Sequence, residues 1–93
     1  MTRLEFWPEY GAGPLWNNEG KSVDLESLNL PHELVERVRS WNSRYEEDKL
    51  PIDSPGDAGW IAEGVALLHS LRSCLGQDAD VVVTEPWWGE TPV

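Results

Sequence analysis

Trp60-Ile61-Ala62-Glu63-Gly64-Val65-Ala66-Leu67-Leu68-His69-Ser70-Leu71-Arg72-Ser73-Cys74-Leu75-Gly76, followed shortly by Asp80-Val81-Val82-Val83-Thr84, is the stretch that decides the fold. Trp60, Ile61, Gly64, Val65, Leu68, Leu71 and Leu75 recur at the three- and four-residue steps of one helix face. Gly76 is a good helix stop, because glycine takes the backbone conformations that end a helix. The three consecutive valines after it are β-branched and read as a strand. Upstream, Ser54-Pro55-Gly56-Asp57 predicts the helix start, with Ser54 as the cap, a proline next and an acid in the third place.

Further toward the N-terminus, Leu34, Val38, Trp41 and Tyr45 recur at steps of four, three and four. With Pro31 at the first position and Glu33 at the positive end of the dipole, they predict a helix running to about Lys49. Glu33 with Arg37, and Arg44 with Asp48, are spaced to pair along its polar side. Leu50-Pro51-Ile52-Asp53 breaks the chain between the two helices. Leu4–Trp7 alternates as a short strand ended by Pro8, and Leu15-Trp16 begins a second one. The turn Tyr10-Gly11-Ala12-Gly13-Pro14 joins them as a hairpin. Ser22–Leu28 reads either as a further extended piece or as irregular chain, and residues 85–93 as extended or coiled. The order is therefore ββααβ. It predicts a single α+β domain over 1–93, a small antiparallel or mixed sheet packed on a two-helix hairpin. The last strand is a candidate partner for the first.

Composition limits what such a domain can do. Ninety-three residues support one core, and the formal charge is −10. Direct nucleic-acid binding needs clustered Lys and Arg, and an anionic membrane repels an acidic surface. A basic protein partner is attracted instead. Residues 51–93 carry seven acids against Arg72 alone, which makes this half either a solubilising surface or a docking face. Cys74, the single cysteine, has no partner for an internal disulfide and is expected to be a buried thiol. No signal peptide or membrane span is legible, so the cytoplasm is the expected location.

Catalytic chemistry finds no motif. His32 and His69 lack metal-ligand spacing to any cysteine or carboxylate cluster. Ser70, Ser73 and Cys74 do not face His69 along a helix. Gly11-Ala12-Gly13 is followed by no Lys-Ser/Thr, so it is not a phosphate loop. No enzyme activity, cofactor or metal is expected. Glu46-Glu47-Asp48 at a helix end opposes the dipole, a cost that points to contact with Lys or Arg.

Six tryptophans are the other unusual feature. Trp41 and Trp60 fall on helix core faces. Trp7, Trp16, Trp87 and Trp88 lie in or beside strands, where side chains alternate between faces. Alternation assigns Trp7, Val82 and one of Trp87 or Trp88 to the sheet face away from the helices. That face is then an interaction patch, or it is covered by the returning C-terminal tail. The expected partner-binding residues are Asp53, Asp57, Asp78, Asp80, Glu85, Trp87, Trp88 and Trp7.

Leu4-Glu5-Phe6-Trp7-Pro8, Gly13-Pro14-Leu15-Trp16, Trp41-Asn42-Ser43-Arg44-Tyr45 and Val83-Thr84-Glu85-Pro86-Trp87-Trp88 together span most of the chain. On these segments it resembles a group of short acidic uncharacterised proteins of high-GC bacteria. That resemblance implies a common fold and transfers no active site. In size, acidity and aromatic content the chain is also similar to immunity proteins of toxin systems, which neutralise cationic nucleases. The leading expectation is an inhibitor of a basic protein. One rival is a homodimer or larger homo-oligomer built on the aromatic sheet face. The other is a small-ligand-binding domain or enzyme with a pocket around Tyr45, Trp60 and His69.

Overall fold

The computed structural model describes residues 2–52 and 54–92. Its strands are β1 (Thr2–Phe6), β2 (Leu15–Trp16) and β3 (Ala79–Val82), and its helices are α1 (His32–Ser43) and α2 (Ala58–Leu75). Short 3-10 turns occupy Leu25–Leu28, Glu47–Lys49 and Pro86–Trp88. The sheet order is β2-β1-β3, with β1 antiparallel to β2 and parallel to β3. A parallel pair needs a crossover, and the two helices provide it.

Register sorts the side chains. Leu4 pairs with Val81 and Phe6 with Leu15, and all four are buried in the core. Glu5 pairs with both Trp16 and Val82 on the opposite face. The α2 stripe of Trp60, Gly64, Leu67, Leu68, Leu71 and Leu75 shares one core with Leu34, Val35, Val38 and Trp41 of α1. Helix and strand residues meet there because each element has one apolar face to bury.

The centre of that core is aromatic. Trp41 and Trp60 stack with ring centroids 4.3 Å apart and planes 11° from parallel. Each indole N–H donates to the other residue's backbone carbonyl, Trp41 Nε1 at 2.8 Å and Trp60 Nε1 at 3.0 Å. Two buried polar groups thereby satisfy each other across the helix pair. Gly64 permits this close approach, because a Cβ there would run into the Trp41 ring. Phe6 stacks on Trp41 at 5.4 Å and meets Trp88 edge-on at 5.2 Å.

The structure corrects several local expectations. α1 stops at Ser43, not near Lys49. Arg44 Nε and Ser43 Oγ both donate to the Ser40 carbonyl, satisfying the helix end. The early stop also places Glu46-Glu47-Asp48 beyond the helix, so they do not extend its negative end. Arg44 pairs with Glu63 at 2.7 Å rather than with Asp48. α2 starts after Asp57, not Ser54, because Gly56 sits at φ 75° and interrupts any helix from Pro55. Asp57 is the cap, accepting from the Trp60 N–H at 3.0 Å. Cys74 is exposed, one position off the buried stripe. The segment after β3 is irregular chain, as one of its two readings had it, but it contains a 3-10 turn that sends Trp88 into the core.

Candidate functional site

The hairpin loop is folded onto the end of α1. Asn42 Nδ2 donates to the Ala12 carbonyl at 2.8 Å, and Asn42 Oδ1 accepts from the Glu9 N–H at 3.2 Å. This two-point hold carries Tyr10 across to the segment after α1. There Tyr10 packs on Tyr45 with ring centroids 4.9 Å apart. Its hydroxyl donates to Glu46 at 3.4 Å and accepts from the Glu47 N–H at 3.1 Å. Tyr45 itself is buried beneath and packs on Trp60.

Beside this pair lies a groove of about 420 Å³ lined by Tyr45, Glu47, Asp48, Ile52 and Ser54. Tyr10, 53% exposed, and Ile52, 60% exposed, are the exposed large apolar side chains among the described residues. Leu50, fully buried two positions before Ile52, pins this loop to the core and leaves Ile52 outside. Glu46, Glu47 and Asp48 have no ion-pair partner among the described residues. Partial desolvation raises the Tyr10 hydroxyl above its ordinary pKa; the hydrogen bond it accepts from the Glu47 N–H works against this, and Glu46 adds to the rise. The Tyr45 hydroxyl is raised for the same first reason, then by Glu9, Tyr10 and Glu47. Desolvation thus leads at both hydroxyls, with carboxylate charge a secondary contribution.

The expected partner-binding residues are dispersed. Asp53 lies outside the described residues. Asp57 caps α2 and bonds Lys49 Nζ at 3.2 Å; the Trp60 N–H, then Lys49, hold its carboxyl below the ordinary range. Asp78 and Asp80 are exposed, with Asp80 opposite Arg3 in the sheet register. Glu85 is half-buried before the last 3-10 turn. Trp7 and Trp87 are half-buried and packed on one another, ring centroids 5.8 Å apart. Trp88 is only 1% exposed and offers no surface, contrary to its expected place on an open face. Val82, on the outward face, is 9% exposed. The outward aromatic face is therefore largely closed, with Trp87 folded back against Trp7.

The same C-terminal end holds a clasp. Arg72 Nε and Nη2 donate to the Val81 carbonyl at 2.9 and 2.7 Å, and Nη1 and Nη2 both bond the Glu90 carboxylate. This bidentate contact is the first cause of a lowered Glu90 pKa and a raised Arg72 pKa.

The pocket expected around Tyr45, Trp60 and His69 does not form. Tyr45 and Trp60 fill the core against each other, while His69 is exposed near Glu90. Among the described residues, no three His, Cys, Asp or Glu side chains converge to hold a metal ion. No described helix is long and apolar enough to cross a membrane.

The sequence did carry one signal for the groove: the Glu46-Glu47-Asp48 run, whose local cost pointed to a basic contact. Tyr10 and Ile52 carried none, because their exposure depends on which loop segments reach the core. No curated protein matches the chain. The family profile described as Serratia CdiI immunity protein-like matches residues 2–86, which include the hairpin, both helices, β3 and all the groove residues. That match covers most of the chain, and with it the chain belongs to the Serratia CdiI immunity protein-like family.

Proposed function

We propose that this immunity-type protein neutralises a protein toxin by binding it, and that the toxin is basic where the two meet. The match over residues 2–86 carries the first part. The net charge of −10, with Glu46, Glu47, Asp48, Asp78 and Asp80 unpaired among the described residues, supports the second. A surface of this sign attracts a cationic partner and speeds encounter at low salt. Inhibition then needs no chemistry from this chain, only coverage of the partner's working surface.

The test begins with the gene directly upstream. A toxin-like product there, co-expressed with this chain, is expected to be tolerated by cells that it otherwise kills, and to co-purify with the chain. Raising the salt from about 50 to 200 mM should weaken the complex at least tenfold, mainly through slower association. A toxin that kills regardless of this chain removes the immunity reading. A complex indifferent to salt removes the basic partner.

A further inference from the structure

We infer that the groove lined by Tyr45, Glu47, Asp48 and Ile52, with Tyr10 beside it, is the contact face for the partner, and that it receives a basic segment of that protein, with an Arg or Lys side chain lying against Tyr45, Glu47 and Asp48. This inference rests on the immunity reading and gives it a location.

Apolar exposure, rather than acidity, picks out the place. Tyr10 and Ile52 are the exposed large apolar side chains among the described residues; Ile52 lines the groove, and Tyr10 adjoins it through its contacts with Tyr45 and the Glu47 N–H. Other aromatic side chains are buried or half-buried against neighbours. Tyrosine and a neighbouring aliphatic group are suited to anchoring a protein contact. Tyr10 is also held in place before any partner arrives, by tilted ring contact with Tyr45 and by two hydrogen bonds through its hydroxyl. A side chain already ordered while exposed loses little freedom on binding.

The carboxylates then say what fits. Glu47 and Asp48 line the groove without an ion-pair partner among the described residues, and Glu46 stands beside them on the Tyr10 hydroxyl. Elsewhere four of the seven Lys and Arg are used locally, Arg39 on Asp24 and Glu26, Arg44 on Glu63, Lys49 on Asp57 and Arg72 on Glu90, and none of these four pairs with Glu47 or Asp48. A guanidinium would meet paired acceptors and an aromatic ring in the same groove. At about 420 Å³ the groove lies toward the small end of ligand clefts, a size for one or two long side chains rather than a folded element.

The probe is a short peptide of alternating arginine and glycine, titrated into the isotopically labelled chain at low salt. Two double variants remove the same charge, Glu47→Gln with Asp48→Asn in the groove, and Asp78→Asn with Asp80→Asn away from it. All four side chains are exposed, so the fold is expected to survive, and backbone spectra verify it. In wild type, shifts should concentrate at Tyr10, Tyr45, Glu47, Asp48 and Ile52. The groove variant should bind about tenfold more weakly and the control at most about twofold, because a positioned pair is worth more than general attraction. Equal losses, or shifts centred on Asp78 and Asp80, overturn the groove while leaving the immunity reading standing. No binding by wild type overturns the groove and counts against a basic partner, while toxin protection in cells still reports separately on immunity. A free polyamine that binds the groove as tightly as the peptide overturns a protein segment as the occupant.

Discussion

Two regions of this molecule are built from the same materials and end up in opposite states. The groove at Tyr10, Tyr45 and Glu46–Asp48 combines aromatic rings with carboxylates, and so does the C-terminal end with Trp87, Trp88, Glu85 and Glu90. At the C-terminal end three of these four groups are consumed, while Glu85 has no ion-pair partner among the described residues. Trp88 fills the core, Trp87 lies on Trp7, and Glu90 is taken by Arg72. At the groove the groups are held but not consumed. Tyr10 is fixed and still exposed, and Glu47 and Asp48 face solvent without an ion-pair partner among the described residues. The difference teaches that a residue's type indicates what it can bind, while its neighbours decide whether anything is left to bind with.

The strongest way to break this contrast is to treat Trp88 as a surface anchor and remove it. Trp88→Ala should cost about 3–5 kcal/mol of stability, the range for deleting a large aromatic from a core. Its ring meets Phe6, Trp41, Trp60 and Trp87, so the cavity would open at the centre of the molecule. Urea denaturation followed by fluorescence measures this. A variant as stable as wild type would return Trp88 to the surface and erase the difference between the two ends.

Trp88 also shows where the sequence stopped being legible. The α+β class, the hairpin and both helices followed from periodicity, because each buries one face in a regular pattern, and the last strand followed from its run of β-branched valines. The choice between Trp87 and Trp88 rested on strand alternation, and Pro86–Trp88 is a 3-10 turn to which a two-residue period does not apply. The displaced α2 cap had a local cause in Gly56, whose positive φ no residue pattern announced. The groove needed more. Tyr10 reaches Glu46 across 36 positions of chain through the Asn42 hold, and nothing local encodes that meeting. Only the acidic run left a trace, and for a reason that changed: α1 ends before it, so the acids do not oppose the dipole.

A smaller effect sharpens the contrast on the electrostatic side. Glu90 has its pKa lowered chiefly by its hydrogen bonds to Arg72, with His69 nearby adding slightly. A lowered folded pKa means that this contribution is fully present above the unfolded carboxylate value. It is lost as pH falls through the depressed folded value. Glu90→Gln should therefore cost about 1 kcal/mol near neutral pH, a figure kept small because both partners are partly exposed. The gap between variant and wild type should close as pH drops through and below the ordinary carboxylate range. Asp57 shifts in the same direction because its carboxylate accepts from the Trp60 N–H and from Lys49, so the wild-type curve alone does not isolate Glu90. A gap that stays constant with pH would mean the Arg72 clasp does not hold a carboxylate in the folded state.

The smallest effect tests the groove itself. Ile52 is 60% exposed, and its backbone N–H donates to the Leu50 carbonyl at 2.9 Å, a bond that any non-proline residue retains. Leu50, fully buried, carries the anchoring of this loop. Ile52→Ser should thus change unfolding stability by less than about 0.5 kcal/mol, the usual range for a surface position without special contacts. The same substitution should weaken binding of the arginine peptide severalfold, because it removes the apolar rim that locates the groove. Denaturation and titration of one variant separate the two roles. A stability loss well above 1 kcal/mol would show that Ile52 is spent on packing, as Trp88 is, and the groove would join the C-terminal end as a consumed region.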